Sequence, residues 1–537
     1  MVIKRVLIAS CIAILSSSQP ALAADSLLAD AAMKGDLATV RALLDRKVDV
    51  NVPQGDGSTA LHWAAYKGDA EMVRLLLARG AGVAARTRLG GITPLMMAAK
   101  NGDAAITALL LDARAEVTVT NTNGTTPLML AAAAGKPEAV ALLLGRGAEV
   151  NAREATHGQT ALMFAAAQGR LDAVKLLLQR KADANAITKV SPIISMTERY
   201  KKQTDGKGSR GITGEGGRSD VTSMGGMTAL MFAAREGHLD VVRALVAAGA
   251  DVNQVNAADN LSVLTLAIIN GRFEIAQFLL ERGANPNLVS KIGLGPLYAT
   301  IDAQWPERTW YPPASVAEEK VTYLALLQAL LDKGADPNVR LGKKPWYRTF
   351  HGDWADPTGA TPLWLAAKAN DVAAMKLLVE RGANPTIPST KGASPLLVAA
   401  GFGFEPQVTN FAPKGRLAAV RYLVEECGAD VNAKDSQGYT PLHGAALTAD
   451  HDLLLYLIAM GADVRARAKN VFGGEGQADK DAAGGVGDTV ADMANGPRAH
   501  NMQFPDTVDL LERLGSENSN NCRYATCVLK TLPSTKK

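Results

Sequence analysis

The sequence predicts an all-α solenoid of stacked helix-turn-helix units, and three observations predict it. The first is a fixed period: TALHWAA begins at Thr59, TPLMMAA at Thr93, TPLMLAA at Thr126 and TALMFAA at Thr160, 33 or 34 residues apart. Self-similarity in that range marks a stacked-repeat architecture. The second is composition, 47% apolar but only 5% aromatic, which fits helices packed through Ala and Leu. The third lies inside each period, where two short apolar stretches are each close to the length at which an isolated helix is marginal in water. Each must be covered by a neighbour, and the next copy is the cover.

Each element of the unit has a local cause. Thr59, Thr93 and Thr126 stand where a hydroxyl caps the first helix, and Pro94 and Pro127 take the first helical position, where a missing N–H costs nothing. The pairs Ala64–Ala65, Ala98–Ala99 and Ala131–Ala132 let neighbouring helices approach closely. The second helices, DAEMVRLLL from Asp69 or LDAVKLLL from Leu171, open on acidic residues, as the helix dipole favours. Gly80, Gly147, Gly249, Gly283, Gly334, Gly382, Gly428 and Gly461 follow them as left-handed C-caps, and GAxxN or a close variant leads out to the next unit.

The TPLxxAA and GAxxN elements together resemble the ankyrin repeat, whose T-P-L-H-x-A signature they carry. The resemblance implies a protein-binding surface that is recoded position by position without disturbing the core. It also implies that His62 and His443, fourth in TALH and TPLH, are structural and hydrogen-bond the turns.

In chain order, residues 24–514 read as the solenoid: a degenerate capping unit from Ser26, then about eleven units opening at Thr59, Thr93, Thr126, Thr160, Thr228, Ser262, Gly295, Thr361, Ser394, Thr440 and Asp488. Insertions interrupt it near 189–226, 302–316, 341–358, 402–414, 472–487 and 495–505, and a polar tail occupies 515–537. The expected assembly is a monomeric array. Within the first insertion Gly206-Lys207-Gly208-Ser209-Arg210-Gly211 matches a dinucleotide fingerprint in letters alone, since no strand precedes it and no helix follows.

Residues 1–23 read as a secretory signal peptide: Lys4 and Arg5, a ten-residue apolar core from Val6 to Leu15, and the small-x-small site Ala21-Leu22-Ala23 ahead of Ala24. A membrane anchor needs about 20 apolar residues. Ile8-Ala9-Ser10-Cys11 is a weaker lipoprotein-type alternative, because the apolar segment before it is too short. The mature chain is therefore expected in an exported compartment, periplasmic before extracellular, with no membrane insertion once the leader is gone. There Cys522 and Cys527, with four residues between them in NNCRYATC, read as a local disulfide, with metal binding the alternative that lacks further ligands nearby. Cys427 ends a repeat helix and reads as a buried small apolar residue.

The net charge of +4 is too balanced for nucleic acid to be the main partner. No GxSxG, HExxH or GxxxxGK stretch appears, the histidines lack partners at metal-ligand spacing, and the sequence points to no catalytic residue, cofactor or metal. The departures from periodicity are more informative. Trp305, Trp310, Trp346 and Trp354 fall in the two insertions of one unit, 302–316 and 341–358, with Tyr311, Tyr347, Arg348 and Phe350 among them. Aromatics and Arg anchor interfaces, yet such loops also fold back and bury their own tryptophans; both readings stand. The expected division is that Trp346, Tyr347, Arg348 and Trp354 contact a protein partner on one rim, while Trp305 and Trp310 pack against the array on the other. The alternative function is small-ligand or carbohydrate binding, possibly catalytic, by the same aromatic insertions.

Overall fold

The structure, a computed structural model, describes residues 26–192, 223–307, 316–345, 355–404, 409–412, 415–469, 487–495 and 503–519. Its described residues form 24 α-helices in twelve consecutive pairs, the expected eleven units behind an N-terminal pair. They divide into two stacks, one built from the described residues up to Val190 with 225–251, the other from the described residues from Val252 onward together with 191–192 and 223–224. The first stack pairs α1 (Leu27–Lys34) with α2 (Leu37–Asp45), α3 (Ala60–Lys67) with α4 (Ala70–Ala78) and α5 (Pro94–Asn101) with α6 (Ala104–Asp112). It continues with α7 (Pro127–Ala134) and α8 (Pro137–Gly145), α9 (Ala161–Ala167) and α10 (Leu171–Gln179), and α11 (Ala229–Glu236) and α12 (Leu239–Ala247). The second stack pairs α13 (Val263–Ile269) with α14 (Phe273–Glu281), α15 (Pro296–Gln304) with α16 (Tyr323–Asp332) and α17 (Pro362–Lys368) with α18 (Val372–Glu380). After these come α19 (Pro395–Ala399) and α20 (Gly415–Arg421, continued by a π-helical turn Tyr422–Glu426), α21 (Pro441–Leu447) and α22 (His451–Ala459), and α23 (Val490–Ala494) and α24 (Pro505–Arg513).

The caps are those the sequence calls for. Thr93, Thr160, Thr228 and Thr361 accept the backbone N–H three residues on at 3.2–3.4 Å, and Asp69, Asp103, Asp371 and Asp450 cap second helices the same way at 2.9–3.1 Å. Such a cap contributes about 1 kcal/mol. Gly80 ends α4 at φ +84°, and its successor Ala81 returns an N–H to Leu76 O at 3.0 Å. Lys47, Arg114 and Lys181 hold the equivalent left-handed positions at φ of 61–67° without being glycine. In each stack the first helix of one pair packs on the first helix of the next, and the paired alanines at that contact are fully buried.

The Asn of GAxxN does more than turn the chain. Asn253 Nδ2 donates to Gly283 O at 3.2 Å while its Oδ1 accepts from Asn285 N at 2.7 Å. Asn51, Asn151, Asn185, Asn287, Asn338 and Asn432 make the same two bonds to the following repeat. At these seven turns one carboxamide, with a donor and an acceptor side by side, ties the turn to the next, which is why Asn recurs there.

Three details differ from the sequence reading. Helix α15 runs through Gln304, so Asp302 is helical and buried and the insertion starts later. Cys427, which follows the π-helical turn, is partly exposed rather than buried, and its partial burial raises the thiol pKa. A two-residue antiparallel ribbon, β1 (Ser191–Pro192) with β2 (Ser223–Met224), joins the chain on either side of residues 193–222.

Candidate functional site

The signature positions are occupied with holding the stack together. The backbone N–H of Thr59 donates to His62 Nδ1 at 3.1 Å, so the proton sits on Nε2, which donates to Ile92 O at 3.0 Å, just before the next unit. Trp364 takes the same place in TPLW. Its indole is fully buried and its Nε1 donates to Ala393 O at 2.9 Å, again the residue before the next unit. His443 shares the Nδ1 bond to Thr440 N at 3.1 Å, while its Nε2 faces the Asp488 carbonyl without reaching hydrogen-bond geometry. Burial holds both rings neutral, pushing His443 down to about 4. These groups are spent on structure, as the resemblance implies.

The insertions of the second stack behave differently. Trp305, just past α15, donates from Nε1 to Asp371 Oδ2 at 2.8 Å; Tyr323 Oη donates to the same oxygen at 2.9 Å, and the two rings meet edge to face at 6.1 Å. Burial, then the Asp371 charge, raises the Tyr323 phenol above its ordinary range, so it stays a donor. The other Asp371 oxygen caps α18. Glu307, two residues beyond Trp305, pairs with Lys368 Nζ at 2.6 Å, and Asn410 Nδ2 of the later insertion donates to Pro306 O at 2.5 Å. Ala412 N donates to Ala369 O at 2.8 Å. Two insertions a hundred residues apart in sequence therefore lie side by side over the end of α17.

The base of the third insertion joins them. Lys344, Pro345 and Pro357 line one cleft with Trp305, Glu307 and Asn410, floored by Tyr298 and Trp364, about 480 Å³ including the solvent at its mouth. The expectation that insertions 302–316 and 341–358 emerge on opposite rims is thereby overturned: eighteen residues reach far more than the roughly 13 Å length of a nine-residue helix. Arg340 is anchored at the start of that insertion, with Nε to Gly359 O at 2.9 Å and Nη2 to Pro388 O at 2.8 Å.

Trp305 is packed against the array. Trp310, Trp346, Tyr347, Arg348 and Trp354 lie outside the described residues, as do Cys522 and Cys527. Sequence reasoning missed Asp371, Lys368 and Asn410, which hold the insertions in place. Asp371 stands at an ordinary helix-capping position, and its second role depends on a partner 66 residues away. Among the described residues no group of three His, Cys, Asp or Glu side chains gathers to hold a metal, and no helix is long and apolar enough to cross a membrane.

Family models described as "Ankyrin repeats (3 copies)" match residues 28–121, 95–188 and 212–290; "Ankyrin repeat" matches 358–390 and "Ankyrin repeats (many copies)" 408–458. The chain belongs to the ankyrin-repeat family. Among curated relatives, this ankyrin-repeat protein is 28% identical over 229 residues to ZDHHC13 of Danio rerio, described as a palmitoyltransferase, covering 42% of this chain and 28% of that one. It is 49% identical over 55 residues to ankyrin repeat domain-containing protein 49 of Homo sapiens, covering 10% and 23%, and 27% identical over 236 residues to human Inversin, covering 44% and 18%. The chain thus spans less than a third of the length of each of these relatives. The crystal structure of the human ASB11 ankyrin repeat domain aligns with a TM-score of 0.38 at 25% identity, covering 48% of this chain and 98% of that one.

Proposed function

We propose that this ankyrin array is a non-catalytic protein-binding scaffold of an exported compartment, most simply the periplasm, and that its inserted loops supply the specific contacts. Ankyrin repeats generally mediate protein–protein interaction, and the observation that carries the finer reading is the convergence of three insertions on one cleft of the second stack. Such a convergence presents several irregular loops to one partner at once, which is how a repeat array gains a specific contact surface. Trp346, Tyr347, Arg348 and Trp354 belong to the insertion whose two ends line that cleft, and they have the residue types that anchor interfaces.

The test is retention of partners by the full chain, with the melting temperature taken on the same samples. Trp346→Ala and Trp354→Ala are expected to abolish retention at unchanged melting temperature, a loss of about 2 kcal/mol or more of binding. Retention that merely follows the folded fraction removes the binding role. Affinity for a soluble sugar, lost in the same variants while protein retention persists, replaces it with the ligand reading, for which a cleft of this size is adequate.

Export rests on the basic start, ten-residue apolar core and small-x-small site of residues 1–23. N-terminal sequencing of the exported form is expected to start at Ala24; a lipidated Cys11 or a retained Met1 contradicts it.

A further inference from the structure

A second, smaller cleft lies beside the first, between α17, α19 and the start of α20, and two buried polar atoms of its lining, Arg416 Nη2 and Asn370 Oδ1, have no hydrogen-bond partner among the described residues. Arg416 extends into it with its guanidinium carbon 4.1 Å from the Phe404 ring centre and 5.4 Å from that of Phe411. Its Nη2 is buried and has no hydrogen-bond partner. Across the cleft Asn370 is 2% exposed, and its Oδ1 is likewise unpartnered. Lys368, the other cation of the lining, is already paired with Glu307. Among the described residues Asp450 is the acid whose charge acts on Arg416, and one of its carboxylate oxygens is engaged in capping α22.

A buried cation without a counter-ion is costly, and burial here depresses the Arg416 pKa. The two Phe rings offset part of that cost, since a guanidinium is attracted to an aromatic face, but they also leave its N–H edge free. That edge is the geometry that recognises a planar anion through parallel N–H···O bonds. The Asn370 amide, turned through 180°, offers an N–H to a second oxygen. Asn370 sits at φ +54°, the left-handed position that Gly68, Gly102 and Gly135 hold after the equivalent helices and that Asn also adopts. Outside the cleft lining, a Cβ on Gly444 would lie 2.8 Å from Phe402 N, so glycine is what lets the chain at Phe402 settle over α21.

We infer that the cleft framed by Arg416, Asn370, Phe404 and Phe411 is a carboxylate-binding site. Its occupant is a single carboxylate group, borne either by an acidic side chain of a polypeptide or by a free small acid. The inference goes beyond the scaffold reading, because it concerns one chemical group and is read without any partner.

The test uses the full chain and two probes, sodium acetate and N-acetyl-glutamate amide, titrated at constant ionic strength against chloride while thermal unfolding is followed. The melting temperature of the wild type is expected to rise saturably with at least one probe, and the rise to disappear in Arg416→Met. Asn370→Gly, which keeps the left-handed backbone while removing the amide, is expected to weaken the response about tenfold, the loss of one hydrogen bond to a charged group. It also serves where Arg416→Met fails to fold. Blocked glutamate binding about tenfold tighter than acetate marks a polypeptide side chain as the source, and acetate binding as tightly marks a free acid. No saturable rise in the wild type overturns the inference, as does an equal rise in wild type and variants.

Discussion

At the scale of single residues, the signature side chains show how a repeat position is reused. His62, Trp364 and His443 all stand fourth in their units, and His62 and Trp364 send a ring N–H to the carbonyl preceding the next unit. An indole can replace an imidazole there because each offers one N–H at a similar reach. The imidazoles bring a pH dependence that the indole does not. His443 titrates near 6.5 when unfolded and, because burial penalises its charge, at about 4 when folded. Between those values the unfolded chain binds the additional proton, so the contribution is complete above pH 6.5 and is lost as pH falls toward 4. The loss is about 3 kcal/mol. Chemical denaturation at pH 7 and pH 4.5 is expected to show a smaller pH-dependent loss in His443→Gln than in the wild type. Equal losses in the two proteins contradict a depressed His443.

At the scale of elements, the helices were legible and their ties were not. Thr-Pro openings, Ala pairs and glycine ends are local devices, and local devices are written within one period. The Asn clamp was half legible: the sequence shows Asn at the right place, but its partners lie about thirty or more residues on, and only the stacked structure brings a donor and an acceptor to one carboxamide. Gly444 is similar. In TPLHGAA it breaks the pattern of large residues at its position, and the reason is the backbone of Phe402 passing 2.8 Å from where a Cβ would be. Since backbone rather than a flexible side chain blocks the space, Gly444→Ala is expected to cost about 1 to 3 kcal/mol in thermal unfolding. An unchanged melting temperature would mean that the insertion yields freely and is not seated on α21.

At the scale of the molecule, each stack is a one-dimensional array in which repeats touch only their neighbours, so long-range organisation must come from what is added to the repeats. In the second stack it comes from insertions. Composition flagged them, through tryptophans crowded into otherwise aromatic-poor sequence, but left packing and binding equally open; the inward packing expected of Trp305 came from its place between helices, and Trp305 does pack on the array although the opposite-rim geometry behind that expectation does not hold. Their meeting was beyond it, because no period relates Trp305 to Asp371 or Pro306 to Asn410 and each contact is set by the course of an irregular loop. The claim on which the functional reading turns is that these insertions form one assembly. Hydrogen exchange read by mass on the full chain carrying Trp305→Ala tests it most directly. The substitution is expected to destabilise by about 3 kcal/mol, and the account predicts faster exchange not only around 302–307 but also across 409–412, whose Ala412 N–H is bonded to Ala369 O, and at the start of α18, capped by Asp371. Faster exchange confined to 302–307 and 316–323, with 409–412 as protected as in the wild type, would contradict it.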